Sequence, residues 1–249
     1  MLRSLTASLL FLAASGTQAA TPANIAAAVA DPARPAADTQ RDADRKPAAM
    51  LEFAGVKSGE TVVDLIPGGG YFTRLFSAAV GPNGKVIAVA TVKPADAPAD
   101  APDRSAAVRA IAADAHYANV TVMQVRLKEF SLAPPVDMVW TSQNYHDIHN
   151  VKDMDVVAFD KAVFAALKPG GVFIVLDHSA EKGSGFRDTG TLHRIDEEAV
   201  KKEVESAGFT FAGSSNALRN KADPRTAAVF DAGIKGHTDQ FILKFVKPK

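Results

Sequence analysis

Residues 62–71 read Val-Val-Asp-Leu-Ile-Pro-Gly-Gly-Gly-Tyr, and this stretch decides the fold. A β-branched run that ends in the carboxylate of Asp64 predicts a buried strand, and the glycines at 68–70 predict a tight turn before a helix. Glycine lets the backbone approach a ligand closely, and a helix N-terminus offers unpaired N–H groups. In a doubly wound sheet this turn lies at the carboxyl end of the strands, where ligands bind.

The same stretch fits a dinucleotide-binding motif poorly. After Gly68 and Gly70 that motif requires a glycine or alanine at the position where this chain has Thr73. A nicotinamide-dependent oxidoreductase is therefore disfavoured, although the order of strand, turn and helix is present.

Strand and helix patterns alternate on both sides of this stretch. Apolar runs predict strands at 61–65, 85–90, 120–125, 136–140, 172–176, 209–212 and 240–246. Amphipathic segments predict helices at 44–54, 71–80, 104–116, 153–167 and 196–207. This order predicts an α/β fold with a Rossmann-like, doubly wound, seven-stranded and mostly parallel sheet. No long helix separates the last two strands, so the C-terminal strand is expected to be antiparallel.

Composition and charge fit one globular domain. The chain has 249 residues, of which 47% are hydrophobic and 22% charged. Its 28 Lys and Arg residues balance 28 Asp and Glu residues, which excludes the basic excess typical of proteins that bind nucleic acid. There are no cysteines, so disulfides, thiolate metal sites and a cysteine nucleophile are excluded. We expect a small molecule as the partner, and no nucleic acid.

The N-terminus has the pattern of a secretory leader. Arg3 precedes an apolar run at 5–14, which is too short to cross a bilayer, and small residues follow up to Ala20. We expect cleavage after Ala19 or Ala20, export to the periplasm or the medium, and no stable membrane insertion afterwards; an uncleaved anchor is the alternative. The expected division is a signal peptide at 1–20, a flexible mature N-terminus at 21–43 and a folded domain at 44–249.

Three segments resemble the class I S-adenosylmethionine-dependent methyltransferases. They are the loop at 64–70, similar to the family's acidic-x-Gly-x-Gly-x-Gly motif, the strand and loop at 136–146, and the Leu-Lys-Pro-Gly-Gly turn at 167–171. The resemblance covers about residues 44–247. It implies a methyltransferase of an exported type, with S-adenosylmethionine as cofactor.

The resemblance also implies which residues bind the cofactor. These are Asp64, Gly68, Gly69 and Gly70 after the first strand, Ala90 at the end of the second, and Asn144 after the fourth. Ile66 replaces the family's first glycine, and Ala90 and Thr91 stand where the family usually has an acidic residue for the ribose hydroxyls. The loss of a charged acceptor costs roughly 1.5–3 kcal/mol per hydrogen bond, which predicts cofactor binding that is weak, rebuilt with other residues, or absent.

Five of the six histidines follow residue 140. The resemblance places the catalytic residues after the fourth strand, at Tyr145 and His146. A neutral His146 could remove a proton from a hydroxyl or amine as it attacks the methyl group. This interpretation includes no metal. The alternative is a divalent-metal site in which His146, Asp147, His149 and His178 converge.

The glycine-rich segment at 183–190 has two interpretations. It is either a lid that directs Arg187, His193 and Arg194 at an anionic substrate, or a solvated surface loop. The predicted function of the chain is methyl transfer from S-adenosylmethionine to a small molecule. The alternative is an exported, non-catalytic protein that binds a ligand or a metal on a methyltransferase scaffold, because a fold does not determine a function.

Overall fold

A computed structural model of the chain describes residues 20–93, residue 98 and residues 100–249. The expected leader, apart from Ala20, lies outside the described residues. Within the described part, no helix is both long enough and apolar enough to cross a membrane.

Seven strands form one sheet. They are β1 (Thr61–Leu65), β2 (Lys85–Thr91), β3 (Val120–Val125), β4 (Val136–Ser142), β5 (Leu167–His178), β6 (Thr210–Ser215) and β7 (Gln240–Val246). Their order across the sheet is β3-β2-β1-β4-β5-β7-β6. Neighbouring strands are parallel, except that β7 is antiparallel to both β5 and β6. The predicted seven-stranded α/β fold with an antiparallel C-terminal strand is confirmed.

Helices cover both faces of the sheet. They are α1 (Ala23–Val29), α2 (Ala36–Thr39), α3 (Asp42–Arg45), α4 (Pro47–Ala54), α5 (Tyr71–Val80), α6 (Ala106–Ala113), α7 (Tyr145–Ile148), α8 (Val156–Ala166) and α9 (Glu197–Ser206). One core contains α1, α4, α5 and α6, and the other contains α7, α8 and α9. Strand side chains alternate between the cores, so Val62 and Trp140 belong to the first, and Val63 and Val139 to the second.

The segment expected to be a flexible N-terminus is structured. Ile25 and Ala28 of α1 are buried in the first core. The side chain of Asn24 donates two hydrogen bonds to main-chain carbonyls, and a buried Arg34 pairs with Asp42 at 2.6 Å. A seven-residue helix has too few turns to show an apolar period in the sequence. For that reason, composition alone indicated a loose chain.

Other differences are at element boundaries. The Lys-Pro-Gly-Gly turn belongs to β5, which begins at Leu167 and not at 172. The helix predicted at 104–116 ends at Ala113, and a 3-10 turn follows at Ala115–Tyr117. Lys46, with a φ of 44°, separates α3 from α4 just before Pro47. Proline disfavours the helical conformation in the residue that precedes it, which explains this break.

Candidate functional site

The glycine loop joins β1 to α5 at the carboxyl edge of the sheet. Ile66, Gly68 and Gly70 have φ values of 55°, 55° and 80°, in the left-handed region that glycine adopts without a steric penalty. A Cβ at Gly70 would lie 2.2 Å from the side chain of Ile111. Ile66 holds a conformation that β-branched residues rarely adopt. The loop therefore holds Ile66 in a left-handed conformation at the position where the resembling motif has a glycine.

Asp64 is the second-last residue of β1, next to this loop, and is 2% exposed. The hydroxyl of Thr73 donates a hydrogen bond of 2.6 Å to its carboxylate. Burial raises the pKa of Asp64 to about 6, and the Thr73 hydrogen bond and the charge of Arg45 oppose that rise. At pH 7 the ionised form predominates, so the carboxylate can accept hydrogen bonds from a ligand.

A pocket of about 220 Å³ opens beside the loop. Its walls come from the glycine loop, the end of β4 and the N-terminal segment. The lining residues are Asp38, Arg41, Arg45, Asp64, Ile66, Pro67, Gly68, Gly69, Tyr71, Phe72, Ser142, Gln143 and Asn144. A Cβ at Gly68 or Gly69 would meet no atom within 4 Å. These two glycines therefore leave open space at the pocket wall.

The N-terminal segment contributes charged side chains to the pocket. The guanidinium of Arg45 donates to the side-chain oxygen of Gln143 at 2.7 Å and lies 4.6 Å from the ring centre of Tyr71. The hydroxyl of Tyr71 donates to Asp42 at 2.6 Å. Burial, followed by the charge of Arg41, lowers the pKa of Arg45 to about 10. Arg45 therefore remains a cation at neutral pH.

At the end of β4, the chain places His146 against Asp177 of β5. Both side chains are buried, and His146 Nδ1 lies 2.8 Å from Asp177 Oδ1. The main-chain N–H of His146 donates to the other carboxylate oxygen at 2.8 Å. Burial favours a higher pKa for Asp177, but the charge of His146 brings that pKa below its usual value. Burial favours a lower pKa for His146, but Asp177 raises it. The two groups stabilise each other's charge.

Tyr145 is directed away from this pair. Its hydroxyl lies 2.7 Å from Asp160 of α8 and 2.8 Å from Glu203 of α9. Glu203 also lies 3.0 Å from His149 Nε2, and burial raises the pKa of Asp160 well above its usual value. The predicted substrate-facing residue Tyr145 is therefore a fully buried link between three helices, and it does not line the pocket.

The chain after β5 brings a different histidine to His146. His193 Nδ1 lies 3.3 Å from His146 Nε2, and the backbone of His193 has a φ of 54°. His178 bonds through Nδ1 to the hydroxyl of Thr238 at 2.7 Å. Burial lowers the pKa of His178 to about 4, which keeps it neutral. Sequence reasoning had grouped His149 and His178 with His146, whereas the structure brings His193 to it.

Arg187 in the glycine-rich segment and Arg194 just after it do not line the described pocket. Arg187 is exposed and pairs with Glu181 and Asp188. Arg194 has no exposed surface and pairs with Asp223 at 2.8 Å. The expectation that Arg194 faces an anionic substrate is therefore wrong, because its charge is already neutralised inside the protein.

Comparison with known proteins bears on the fold and the family. No family model matches the sequence. The chain is 26% identical over 205 residues to a ubiquinone/menaquinone biosynthesis C-methyltransferase from Pasteurella multocida, across 74% of this chain and 66% of that protein, just under two thirds of its length. An S-adenosylmethionine-dependent methyltransferase structure from Mesorhizobium loti has a TM-score of 0.58 at 18% identity, over 83% of this chain and 99% of that one. This chain has the class I methyltransferase fold.

The fold occurs with more than one chemistry. The structure of the [4+2]-cyclase SpnF has a TM-score of 0.57 to this chain at 18% identity, over 86% of this chain and 81% of that one. The comparisons show the fold, and the reaction has to be argued from the site.

Within this fold, the predicted cofactor residues separate into two groups. Asp64, Gly68, Gly69 and Asn144 line the pocket. Gly70 is the residue at the N-cap of α5. Ala90 is buried in the first core and is not among the lining residues.

Sequence reasoning missed the cationic part of the pocket. Arg41 reaches it from the segment that was expected to be flexible, and Arg45 reaches it from the start of the predicted helix at 44–54. A signal was present in the sequence, since Arg34, Arg41 and Arg45 are spaced by seven and four residues and can share a side of a helical segment.

A second, larger pocket of about 800 Å³ lies at the other end of the sheet. It is lined by Lys85 and Thr121 near the starts of β2 and β3 and by Gly81 after α5. None of the residues predicted to bind or react lines it. The predicted site residues therefore lie at the smaller of these two pockets.

Proposed function

We propose that the protein transfers a methyl group from S-adenosylmethionine to a small molecule. The observation that carries this proposal is the glycine loop, with Asp64 before it and α5 after it, on the wall of a pocket at the carboxyl edge of the sheet. Ligands of doubly wound folds bind at this edge. The methyl acceptor would lie where β4 and β5 end, beside His146 and Asp177.

The charges in the pocket fit the cofactor. The carboxylate of its amino-acid part is complemented by Arg41 and Arg45, and its ammonium and sulfonium groups by Asp38 and Asp64. When bound, the cofactor supplies a methyl group on a sulfonium leaving group that is already activated. The remaining task of the protein is to hold donor and acceptor in line and to exclude water.

Two unpaired hydroxyls lie near the position where the acidic residue for the ribose is missing. Thr91 ends β2 and Ser142 ends β4, so they flank β1. Their hydroxyl oxygens are buried and have no hydrogen-bond partner among residues 20–93, 98 and 100–249. Buried hydroxyls without a partner are uncommon. Ser142 lines the pocket, whereas Thr91 is not among the lining residues. We therefore assign the Ser142 hydroxyl to the ribose, as a neutral group in place of a carboxylate.

Gly69→Ala is expected to weaken binding of S-adenosylhomocysteine at least tenfold. The new methyl group has room in the ligand-free protein, but it projects from the pocket wall into the space that the bound cofactor would fill. Gly233→Ala is the matched control, because this exposed glycine also has open space around its Cβ position and lies outside the pocket. Calorimetric titration of both variants measures the effect. Equal affinities for the two variants would show that the glycine loop does not contact the ligand.

We also propose that the chain is exported, on the pattern of its first 20 residues. Expression of the full gene in a Gram-negative host should give a periplasmic protein that begins at Ala20 or Thr21. N-terminal sequencing of the periplasmic fraction is the measurement, and an intact chain retained in the cytosol would contradict export.

A further inference from the structure

We propose that His146, Asp147 and His193 bind a divalent metal ion in tetrahedral geometry, and that zinc is the ion that fits. This site lies at the ends of β4 and β5. It does not depend on the proposed methyl transfer, because the evidence for it is the arrangement of its own ligand atoms.

The three ligand atoms form a nearly equilateral triangle. His146 Nε2 lies 3.3 Å from His193 Nδ1, and each of these nitrogens lies 3.4 Å from Asp147 Oδ1. A tetrahedral ion with bonds of about 2.0–2.1 Å requires about 3.3–3.4 Å between any two ligand atoms. An octahedral or square-planar ion with the same bond lengths requires about 2.8–3.0 Å between neighbours. The observed triangle therefore has the size of a tetrahedral site.

The donor atoms point to the same class of ion. Imidazole nitrogen with a carboxylate oxygen is a typical ligand set for zinc, whereas calcium and magnesium take oxygen ligands. Within the described residues, these are the three side chains that offer such a cluster. The ligand set differs from the one that sequence spacing suggested, since His149 is hydrogen-bonded to Glu203 and His178 to Thr238.

Asp177 fixes the form of His146 that a metal requires. An ionised carboxylate only accepts hydrogen bonds, so the Nδ1 that lies 2.8 Å from it carries the proton. When the ring is neutral, its lone pair is then on Nε2, which faces His193 and Asp147, and a bound metal takes the place of the proton that Nε2 carries in the charged ring. Asp177 is itself held by the main-chain N–H groups of His146 and His178, at 2.8 and 2.7 Å. A carboxylate behind a metal-binding histidine is a common arrangement that orients the ring.

The site has three protein ligands and an accessible side. The side chains of Asp147 and His193 are 47% and 32% exposed. Three ligands leave the fourth position of a tetrahedral ion for water or a substrate atom, which is the pattern of catalytic rather than structural zinc. If the proposed function also holds, an acceptor hydroxyl in that position would lose its proton more readily. His146 would then act as a metal ligand, in place of the free base expected from the sequence.

Zinc titration of the untagged protein, after removal of metals with a chelator, tests this site. Calorimetry and elemental analysis should show one ion per chain. His193→Asn should weaken binding at least a hundredfold, and asparagine tolerates the left-handed backbone at this position. Asp177→Asn should weaken binding ten- to a hundredfold. His237→Ala is the control, because His237 is an exposed histidine outside the cluster, and it should leave the affinity unchanged.

The visible spectrum of bound Co²⁺ reports the coordination geometry of the ion. A tetrahedral spectrum is not expected if these residues have only a structural role. The Co²⁺-loaded protein should show the intense visible absorption of a tetrahedral ion. Stoichiometric binding that is unchanged in His193→Asn, an octahedral Co²⁺ spectrum, or no bound ion would each overturn the proposal. Titration of the metal-free protein with S-adenosylhomocysteine reports on the glycine-loop pocket alone, so a failure of either proposal is recognised separately.

Discussion

Arg194→Met is expected to lower the free energy of unfolding by about 3–5 kcal/mol, because it leaves a buried carboxylate without its partner. Neither Arg194 nor Asp223 has exposed side-chain surface, and their closest contact is 2.8 Å. Arg194 also donates to the main-chain carbonyls of Ser179 and Ala227, at 3.0 and 2.8 Å. The variant therefore loses an ion pair and leaves two main-chain carbonyls without this donor, of which that of Ser179 is buried.

The loss of stability should depend on pH in a defined direction. Burial favours a higher pKa for Asp223, but hydrogen bonding to Arg194 brings that pKa below its usual value. In the native protein this pair contributes stability above the unfolded-state pKa of about 3.9, and the contribution disappears as pH falls through the lower folded-state pKa. In the variant, burial raises the pKa of Asp223, and protonation at acidic pH relieves the uncompensated charge. The deficit should therefore be larger at pH 7 than at pH 4.

Urea denaturation at both pH values measures this effect. Arg187→Met is the matched control, since it makes the same substitution seven residues earlier in the chain, at an exposed arginine that forms surface ion pairs. Such pairs contribute about 0–1 kcal/mol. A deficit below about 1 kcal/mol for Arg194→Met, or one that does not change between pH 7 and pH 4, would contradict the account of a desolvated pair.

Arg45→Met is expected to weaken binding of S-adenosylhomocysteine about ten- to a hundredfold. A charge-assisted hydrogen bond contributes roughly 1.5–3 kcal/mol, and 1.4 kcal/mol corresponds to a factor of ten. A hydrogen bond to Gln143 and contacts with two aromatic rings hold the Arg45 guanidinium in the pocket. The ring centres of Tyr71 and Phe72 lie 4.6 and 5.5 Å from the guanidinium carbon. Its loss also allows the pKa of Asp64 to rise further, because the charge of Arg45 opposes the effect of burial there.

Two variants control this measurement. Arg45→Lys keeps the charge without the planar guanidinium, so its affinity should lie between those of the native protein and Arg45→Met. Arg109→Met removes an arginine from α6 that pairs with Asp103 at the surface, and it should leave the affinity unchanged. Native affinity in Arg45→Met would mean that the carboxylate of the ligand does not contact this part of the pocket.

The features that the sequence predicted are local ones. The glycine loop follows from ten consecutive residues, because strand, turn and helix signals stand side by side in 62–71. The strands β1 and β7 and the helix α5 have the bounds that were predicted from their apolar patterns. The order of strands and helices, together with the handedness of their connections, allows only a few sheet topologies, and the observed one is among them.

The features that were missed depend on tertiary structure. Tyr145 and His146 are neighbours in the sequence, but adjacent residues of a helix point about 100° apart. Tyr145 therefore reaches Asp160 in the core, and His146 reaches Asp177 at the sheet edge. His193 approaches His146 across 47 residues of chain, and no local pattern marks such a contact.

The central claim is that the glycine-loop pocket binds the methyl donor. Calorimetric titration of the untagged, leader-free protein with S-adenosylhomocysteine tests it most directly. We predict saturable binding of one molecule per chain, competition by S-adenosylmethionine, and an affinity that falls in Gly69→Ala and Arg45→Met but not in Gly233→Ala. An absence of binding heat for both ligands up to millimolar concentration would contradict the claim.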